Sequence, residues 1–239
     1  MDSKPKTFLE RLTHKRSDTP EIISFQTIRR AVGFLGLLLP AVLVAGTYLF
    51  SICRQIEPSI SHYYYTSMRE VFVGTLCSVS LFLFTYKGYS RLDSLASNAA
   101  GFFILLVAIF PTDFLLDNAC QQDVRAPIYL PFHKVIHLTS AALFFLTLAA
   151  MSYFLFTKSD FPAEQQTPEK KTRNGIYRMC AIVMVLSLVI ILFGFIFDTG
   201  NSTLTFWFET LALVSFGVSW LTKGEALFGD KPVLKIKKS

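Results

Sequence analysis

Charge is scarce in this chain. Asp, Glu, Lys and Arg make up 17% of its 239 residues, below the roughly 25% usual for soluble domains, whereas 52% are hydrophobic. That balance excludes an ordinary water-facing fold. Several enzyme signatures are missing too. There is no glycine-rich phosphate loop, no Gly-x-Ser-x-Gly elbow and no His-Glu-x-x-His helix, so nucleotide, α/β-hydrolase and zincin chemistry have no anchor. No internal repeat is evident, which weakens an inverted-repeat transporter. Runs such as Ala181-Ile182-Val183-Met184-Val185-Leu186 lack the polar residue at every second position that a membrane β-barrel requires.

What is present is a series of long apolar runs separated by short polar segments. A hydrocarbon core of about 30 Å takes roughly 20 helical residues to cross, with every backbone group satisfied inside the span. Six runs qualify as spans, at about 31–53, 66–86, 95–112, 132–156, 179–197 and 206–222. Pro40 falls in the first, where lipid-embedded helices tolerate a kink. The expected fold is all-α, a six-helix transmembrane bundle. Residues 1–30 are expected to form a cytoplasmic arm, 158–174 a flexible inner loop, and 223–239 a basic cytoplasmic tail. The first run is too long, and its polar leader too extended, for a cleaved signal peptide, so it is read as a retained span.

Orientation follows from the cations. Lys4, Lys6, Arg11, Lys15, Arg16, Arg29 and Arg30 precede the first span, Lys87 and Arg91 follow the second, five cations lie between the fourth and fifth, and five follow from Lys223 onward. The other side holds Arg54, Arg69, Arg125 and Lys134 alone. Six spans therefore divide the cations 19 to 4, which places both termini in the cytoplasm by the positive-inside rule. The formal net charge of +6 is then explained by topology and by attraction to anionic headgroups, and nucleic acid is not expected as a partner. Small residues four apart, at Gly74 and Ser78, Ser97 and Gly101, and Ser215 and Ser219, mark faces where helices can approach closely.

Ionisable groups in spans are costly and are functional candidates by default. They share one depth here. Arg69 and Glu70 open the second span, Asp113 closes the third, His133 and His137 open the fourth, and Glu209 lies one turn into the sixth, with Glu57 and His62 in the first outer loop. The cytoplasmic half has no comparable group of acids and histidines. Tyr63, Tyr64 and Tyr65, with Trp207 and Phe208, read as an aromatic belt at the outer interface, Tyr64 also being a candidate for stacking on a ligand. His133 and His137 lie one turn apart on one helix face, and Ser140 and Thr147 continue it inward. Three readings of the cluster stand open. In the first, the groups satisfy one another, Arg69 with Glu209 or Glu70 and the histidines with Asp113 or backbone carbonyls. In the second, they line an outward pocket for a lipid headgroup or small solute. In the third, His133 and His137 hold zinc in a lipid hydrolase, with further ligands unplaced. A small transporter is a further alternative. The leading expectation is the pocket, without enzyme activity or a cofactor.

Cys53 and Cys120 fall outside on this topology and are candidates for a disulfide, whereas Cys77 and Cys180 are ordinary small residues of spans.

The segments Tyr63-Tyr64-Tyr65-Thr66-Ser67-Met68-Arg69-Glu70-Val71-Phe72-Val73-Gly74, Phe110-Pro111-Thr112, Arg173-Asn174-Gly175-Ile176-Tyr177-Arg178 and Ser219-Trp220-Leu221-Thr222-Lys223-Gly224 resemble an uncharacterised bacterial family of small six-span integral membrane proteins. The resemblance implies a bacterial inner-membrane origin and a shared bundle, but no activity. The spacing of His133 and His137 is also similar to the His-x-x-x-His pair of the alkaline ceramidase and adiponectin-receptor superfamily. Those proteins have seven spans, carry the pair in the last, and have a second-span Ser-x-x-x-His motif that this chain lacks. Only the possibility of metal on the pair is implied.

Overall fold

The computed structural model describes residues 20–51, 54–88, 90–113, 131–159, 166–197 and 203–227, with side chains described from Gln26 in the first helix and from Phe132 in the fourth. Six long helices and two short helical turns form the regular structure, and no strand occurs among the described residues. Helix α1 is Pro20–Phe50, α2 is Arg69–Thr85, α3 is Arg91–Ile109, α4 is Pro131–Ala150, α5 is Pro168–Phe197 and α6 is Leu204–Lys223. A 3-10 turn, Ile60–Tyr65, stands between α1 and α2, and a π-helical turn, Met151–Leu155, continues α4.

The starts have local causes. Proline opens α1, α4 and α5, at the position where its missing N–H costs nothing and its fixed φ already suits the helix. Ser90 and Asp93 form a capping box on α3, each side chain bonded to the other's backbone N–H. Two helices begin well before the apolar runs that betray them. Residues 20–30, expected in the N-terminal arm, are the first turns of α1, and residues 168–174, expected in a flexible loop, are the first turns of α5. These polar turns are held by partners that apolar periodicity does not register. Arg30 Nε donates to the Gly224 carbonyl at 2.8 Å and Gln26 Nε2 to Glu225 at 3.1 Å, so a cation sits where the orphan carbonyls and negative dipole of the α6 C-terminus favour one. Lys170 Nζ donates to the carbonyls of Phe156 and Lys158 beyond the π turn.

Each helix packs beside its neighbours in the chain, and α6 returns beside α1, closing a ring. The helices alternate in direction. The starts of α1, α3 and α5 and the ends of α2, α4 and α6 share one end, where Tyr86 meets Trp220 and Phe156 meets Tyr177. At the other end, the start of α4 meets the end of α3 through a bond between His137 and the Phe110 carbonyl. Five of the six helices are long and apolar enough to cross a membrane, the stretches being Gln26–Phe50, Arg91–Ile109, Phe132–Leu155, Pro168–Phe197 and Leu204–Lys223. Large apolar side chains face outward around the ring, among them Phe34, Leu81, Leu95 and Ile196. Such a surface would not persist in water, and the chain is an integral membrane protein.

Interior polar atoms act as joints. Ser97 Oγ donates to the Leu83 carbonyl at 2.6 Å and Ser80 Oγ to that of Gly101 at 2.7 Å, fastening α3 to α2. Ser152 and Ser219 share a hydrogen bond of 2.7 Å between the π turn and α6. The Ser97 and Gly101 pair does mark a close approach, a Cβ on Gly101 falling 3.2 Å from the Ser80 carbonyl oxygen, but a closer one lies at Gly217. A Cβ on Gly217 would fall 2.7 Å from the Gly33 carbonyl oxygen, so α1 and α6 cross where both lack a side chain. Gly74 has nothing within 4 Å of its Cβ position, and Ser78 bonds back to the Gly74 carbonyl. That pair makes no close approach, because it does not face a neighbouring helix.

Candidate functional site

The polar groups that the sequence places at one depth collect, in part, around the 3-10 turn. Ser59 begins it, its hydroxyl oxygen accepting the His62 backbone N–H at 3.3 Å. From α6, Glu209 Oε2 accepts the Ile60 N–H at 2.6 Å, and the Phe206 N–H donates to the Pro58 carbonyl at 2.9 Å. A carboxylate on one helix thus satisfies orphan donors at the start of another element. On the opposite side, His137 Nδ1 lies 2.7 Å from the Phe110 carbonyl oxygen and Nε2 lies 2.9 Å from Ser61 Oγ. A carbonyl can only accept, so Nδ1 carries the proton, and the neutral ring accepts the Ser61 hydroxyl at Nε2. His137 therefore ties α4 to both the end of α3 and the turn.

Beside it, Lys134 Nζ is 2.8 Å from Asp113 Oδ2, and the Thr112 hydroxyl donates to Oδ1 at 2.9 Å. Burial works to raise the Asp113 carboxyl, but the Lys134 and Thr112 bonds and the Lys134 charge outweigh it and hold the group below the usual range. His62 is 9% exposed, with Nδ1 2.6 Å from Ser59 Oγ. Its Nε2 is buried and has no hydrogen-bond partner among the described residues. Burial pushes this imidazole down to about 4; Asp113 opposes the shift, while His137 and Lys134 add to it. His62 is neutral at physiological pH.

These side chains form one end of a cavity of about 810 Å³, within the range of ligand sites. Ser59, Ser61, His62, Asp113, Lys134 and Glu209 supply its polar end. Its walls are apolar, from Leu138 to Leu146 on α4 and from Val185 to Phe195 on α5. The two helices converge at the π-turn end, where the rings of Phe156 and Tyr177 lie 5.5 Å apart, and the cavity occupies the space between them toward the other end. It joins a compact hydrogen-bonding head to a long apolar slot.

Of the residues expected from sequence, His62, Asp113, His137 and Glu209 line this cavity. The other four do not. Arg69 lies with its guanidinium 4.4 Å from the Tyr64 ring centre and donates to the Tyr64 hydroxyl at 2.8 Å, so its partner is neither Glu209 nor Glu70. Glu70 is exposed in the first turn of α2. His133 stacks edge-on between Phe110 and Phe132. Tyr63, Tyr64 and Tyr65 are buried rather than belted at an interface: Tyr63 packs on Phe206, and the Tyr65 hydroxyl donates to the Thr112 carbonyl. The turn folds them inward. Trp207 is exposed, as expected of an interfacial residue. Lys134, Ser59 and Ser61 were missed by sequence reasoning, although Lys134, one residue from His133 and on the cation-poor side, carried a usable signal.

Among the described residues, no three His, Cys, Asp or Glu side chains lie close enough to share a metal ion, and both ring nitrogens of His137 are engaged. Cys53 and Cys120 lie outside the described residues, while Cys77 and Cys180 are free. No protein-family model, no curated protein and no solved structure matches this chain.

Proposed function

We propose that this is a six-span membrane protein with both termini on the cation-rich, cytoplasmic side, and that it binds a single-chain amphiphile in the outer cavity. For the span count, α2 is the helix in question. Its 17 residues extend about 26 Å at 1.5 Å per residue. It joins the same two ends of the ring as its neighbours and presents Val71, Leu81 and Phe84 outward. The cation distribution also supports an even number of spans, and the sidedness implies that the cavity faces the compartment opposite the cytoplasm.

The observation that carries the binding reading is the cavity's division into a polar end and an apolar slot between α4 and α5. An acyl chain between two transmembrane helices needs no polar partner, and a headgroup at the Ser59, His62 and Lys134 end finds donors and acceptors together. Asp113 and Lys134 are paired there and offset one another, so an anionic head meets no surplus positive charge. The occupant is an amphiphile whose head is uncharged or zwitterionic. The buried, unpartnered Nε2 of His62 is the group such a head would satisfy.

Thermal melting of the purified chain in a non-binding detergent, titrated with a monoacylglycerol and with lysophosphatidylcholine, tests this. A saturable rise in Tm is expected for the wild type and none for Ala142→Trp, which fills the slot from its wall. Equal shifts in both proteins, or none in either, would contradict the proposal.

A further inference from the structure

The end of the ring opposite the cavity holds a second cluster in which cations predominate. Lys223, at the end of α6, lies within electrostatic reach of Arg29, Lys170, Arg173 and Asp93, and Glu225 acts beside Arg29 and Arg173 on the neighbouring Tyr177. Arg173 is buried, and so is Asp93, whose carboxylate is already used to cap α3 through Ser90. Rings enclose the cations: Arg29 lies 5.4 Å from the Tyr86 centroid, and Lys223 Nζ lies 5.2 Å from that of Phe156. Trp220 joins them, its ring 5.2 Å from Tyr86 and 5.6 Å from Phe156.

Two buried donors here have no acceptor among the described residues. They are Arg29 Nε and the indole Nε1 of Trp220, a side chain only 1% exposed. Both can donate only, and a buried donor left unmade is costly. Arg29, Lys170, Arg173 and Lys223 outnumber the two carboxylates near them, Asp93 and Glu225, and like charges repel in a low dielectric. What both features call for is the same object, an anion rich in acceptor oxygens. Arg is the side chain best shaped to meet a phosphate with a forked pair of donors. Two segments singled out in the sequence, 173–178 and 219–224, meet at this place.

We infer that Arg29, Arg173, Lys223 and the Trp220 indole form a binding site for a phosphate-type oxyanion at the cytoplasmic end of the ring, separate from the outer cavity. The oxyanion is either a free phosphate or the headgroup of an anionic phospholipid, which offer the same chemistry.

The test uses the full chain carrying Trp207→Phe, so that Trp220 is its sole tryptophan. Inorganic phosphate is titrated in uncharged detergent, with chloride holding ionic strength constant, while Tm and Trp220 emission are recorded. In parallel, emission is compared in nanodiscs of phosphatidylcholine with and without phosphatidylglycerol. A saturable change with phosphate supports the site with a free ion, and a change confined to phosphatidylglycerol supports it with a headgroup. Arg29→Gln should weaken the apparent affinity more than tenfold, whereas Lys171→Gln, an equal loss of charge at an exposed position, should leave it within twofold. Should Arg29→Gln fail to fold, Arg29→Lys keeps the charge but loses the fork and should weaken binding by a smaller factor. No response in the parent protein to either source, or equal weakening by Arg29→Gln and Lys171→Gln, would overturn the inference.

Discussion

Replacing Gly217 and Gly74 by alanine in turn should shift stability in opposite directions. Both glycines are inside helices, so local propensity alone favours alanine at each by up to about 1 kcal/mol. Packing separates them. A Cβ at 217 would lie 2.7 Å from the Gly33 carbonyl oxygen, 2.8 Å from Leu37 Cβ and 2.9 Å from the Leu37 nitrogen, against contact distances of roughly 3.5 Å. Two of those atoms are backbone, so no rotamer change relieves the clash and α1 must withdraw by about 0.7 Å along its crossing with α6. Overpacking costs about 1–3 kcal/mol, and a backbone collision belongs at the upper end. At Gly74 nothing lies within 4 Å, so the propensity gain stands. The propensity gain is common to both, so the variants should differ by the overpacking cost, about 3 kcal/mol. Reversible unfolding in mixed micelles with increasing denaturing detergent measures the difference. A Gly217→Ala protein as stable as the parent, or a Gly74→Ala protein as unstable as Gly217→Ala, would refute the assignment of the α1–α6 crossing.

Further outcomes follow from the outer site. His137→Ala removes the donor to the Phe110 carbonyl and the acceptor of the Ser61 hydroxyl, and should cost about 2–4 kcal/mol in the same assay. His62, held down to about 4 when folded, takes up a proton near its ordinary value of about 6.5 once unfolded. Between those values the unfolded state binds more protons, so stability should fall with falling pH across that window, by about 3 kcal/mol at most; His62→Gln should flatten that part of the profile. The Lys134–Asp113 pair is partly exposed, at 43% and 32% of the two side chains, and Lys134→Met should cost under about 1 kcal/mol.

The spans were legible because lipid imposes a length and an apolarity that few other environments demand, and the long runs around Val42, Phe144, Val189 and Leu213 meet both. The starts of α1 and α5 were not legible. Their first turns are polar and are held by single bonds such as Arg30 to Gly224, which leave no periodic trace. The depth of the outer groups was read from position alone, and Asp113, His137 and Glu209 do gather. His137 does take a backbone carbonyl, that of Phe110, but the ion pairs were misassigned because helix spacing says nothing of rotation about the ring: Arg69 turns to Tyr64, and Asp113 takes Lys134. The cations of the cation-rich side were read as a topology signal and as an attraction for anionic headgroups, not as a cluster. That they also converge depends on α1, α5 and α6 meeting at one end, a relation among residues as far apart as Arg29 and Lys223. The Gly33–Gly217 crossing was hidden for the same reason, since spacing within one helix cannot reveal which two helices touch.

Photocrosslinking with a single-chain amphiphile carrying a diazirine on its acyl chain, followed by mass-spectrometric mapping of the adducts, bears most directly on the outer cavity. Saturable labelling is expected on the facing walls, within 138–146 of α4 and 185–195 of α5, displaced by excess unlabelled amphiphile and lost in Ala142→Trp. Labelling that does not saturate and spreads evenly over outward residues such as Phe34, Leu81 and Leu95 would show a chain dissolved around the protein rather than bound within it, and would contradict the account.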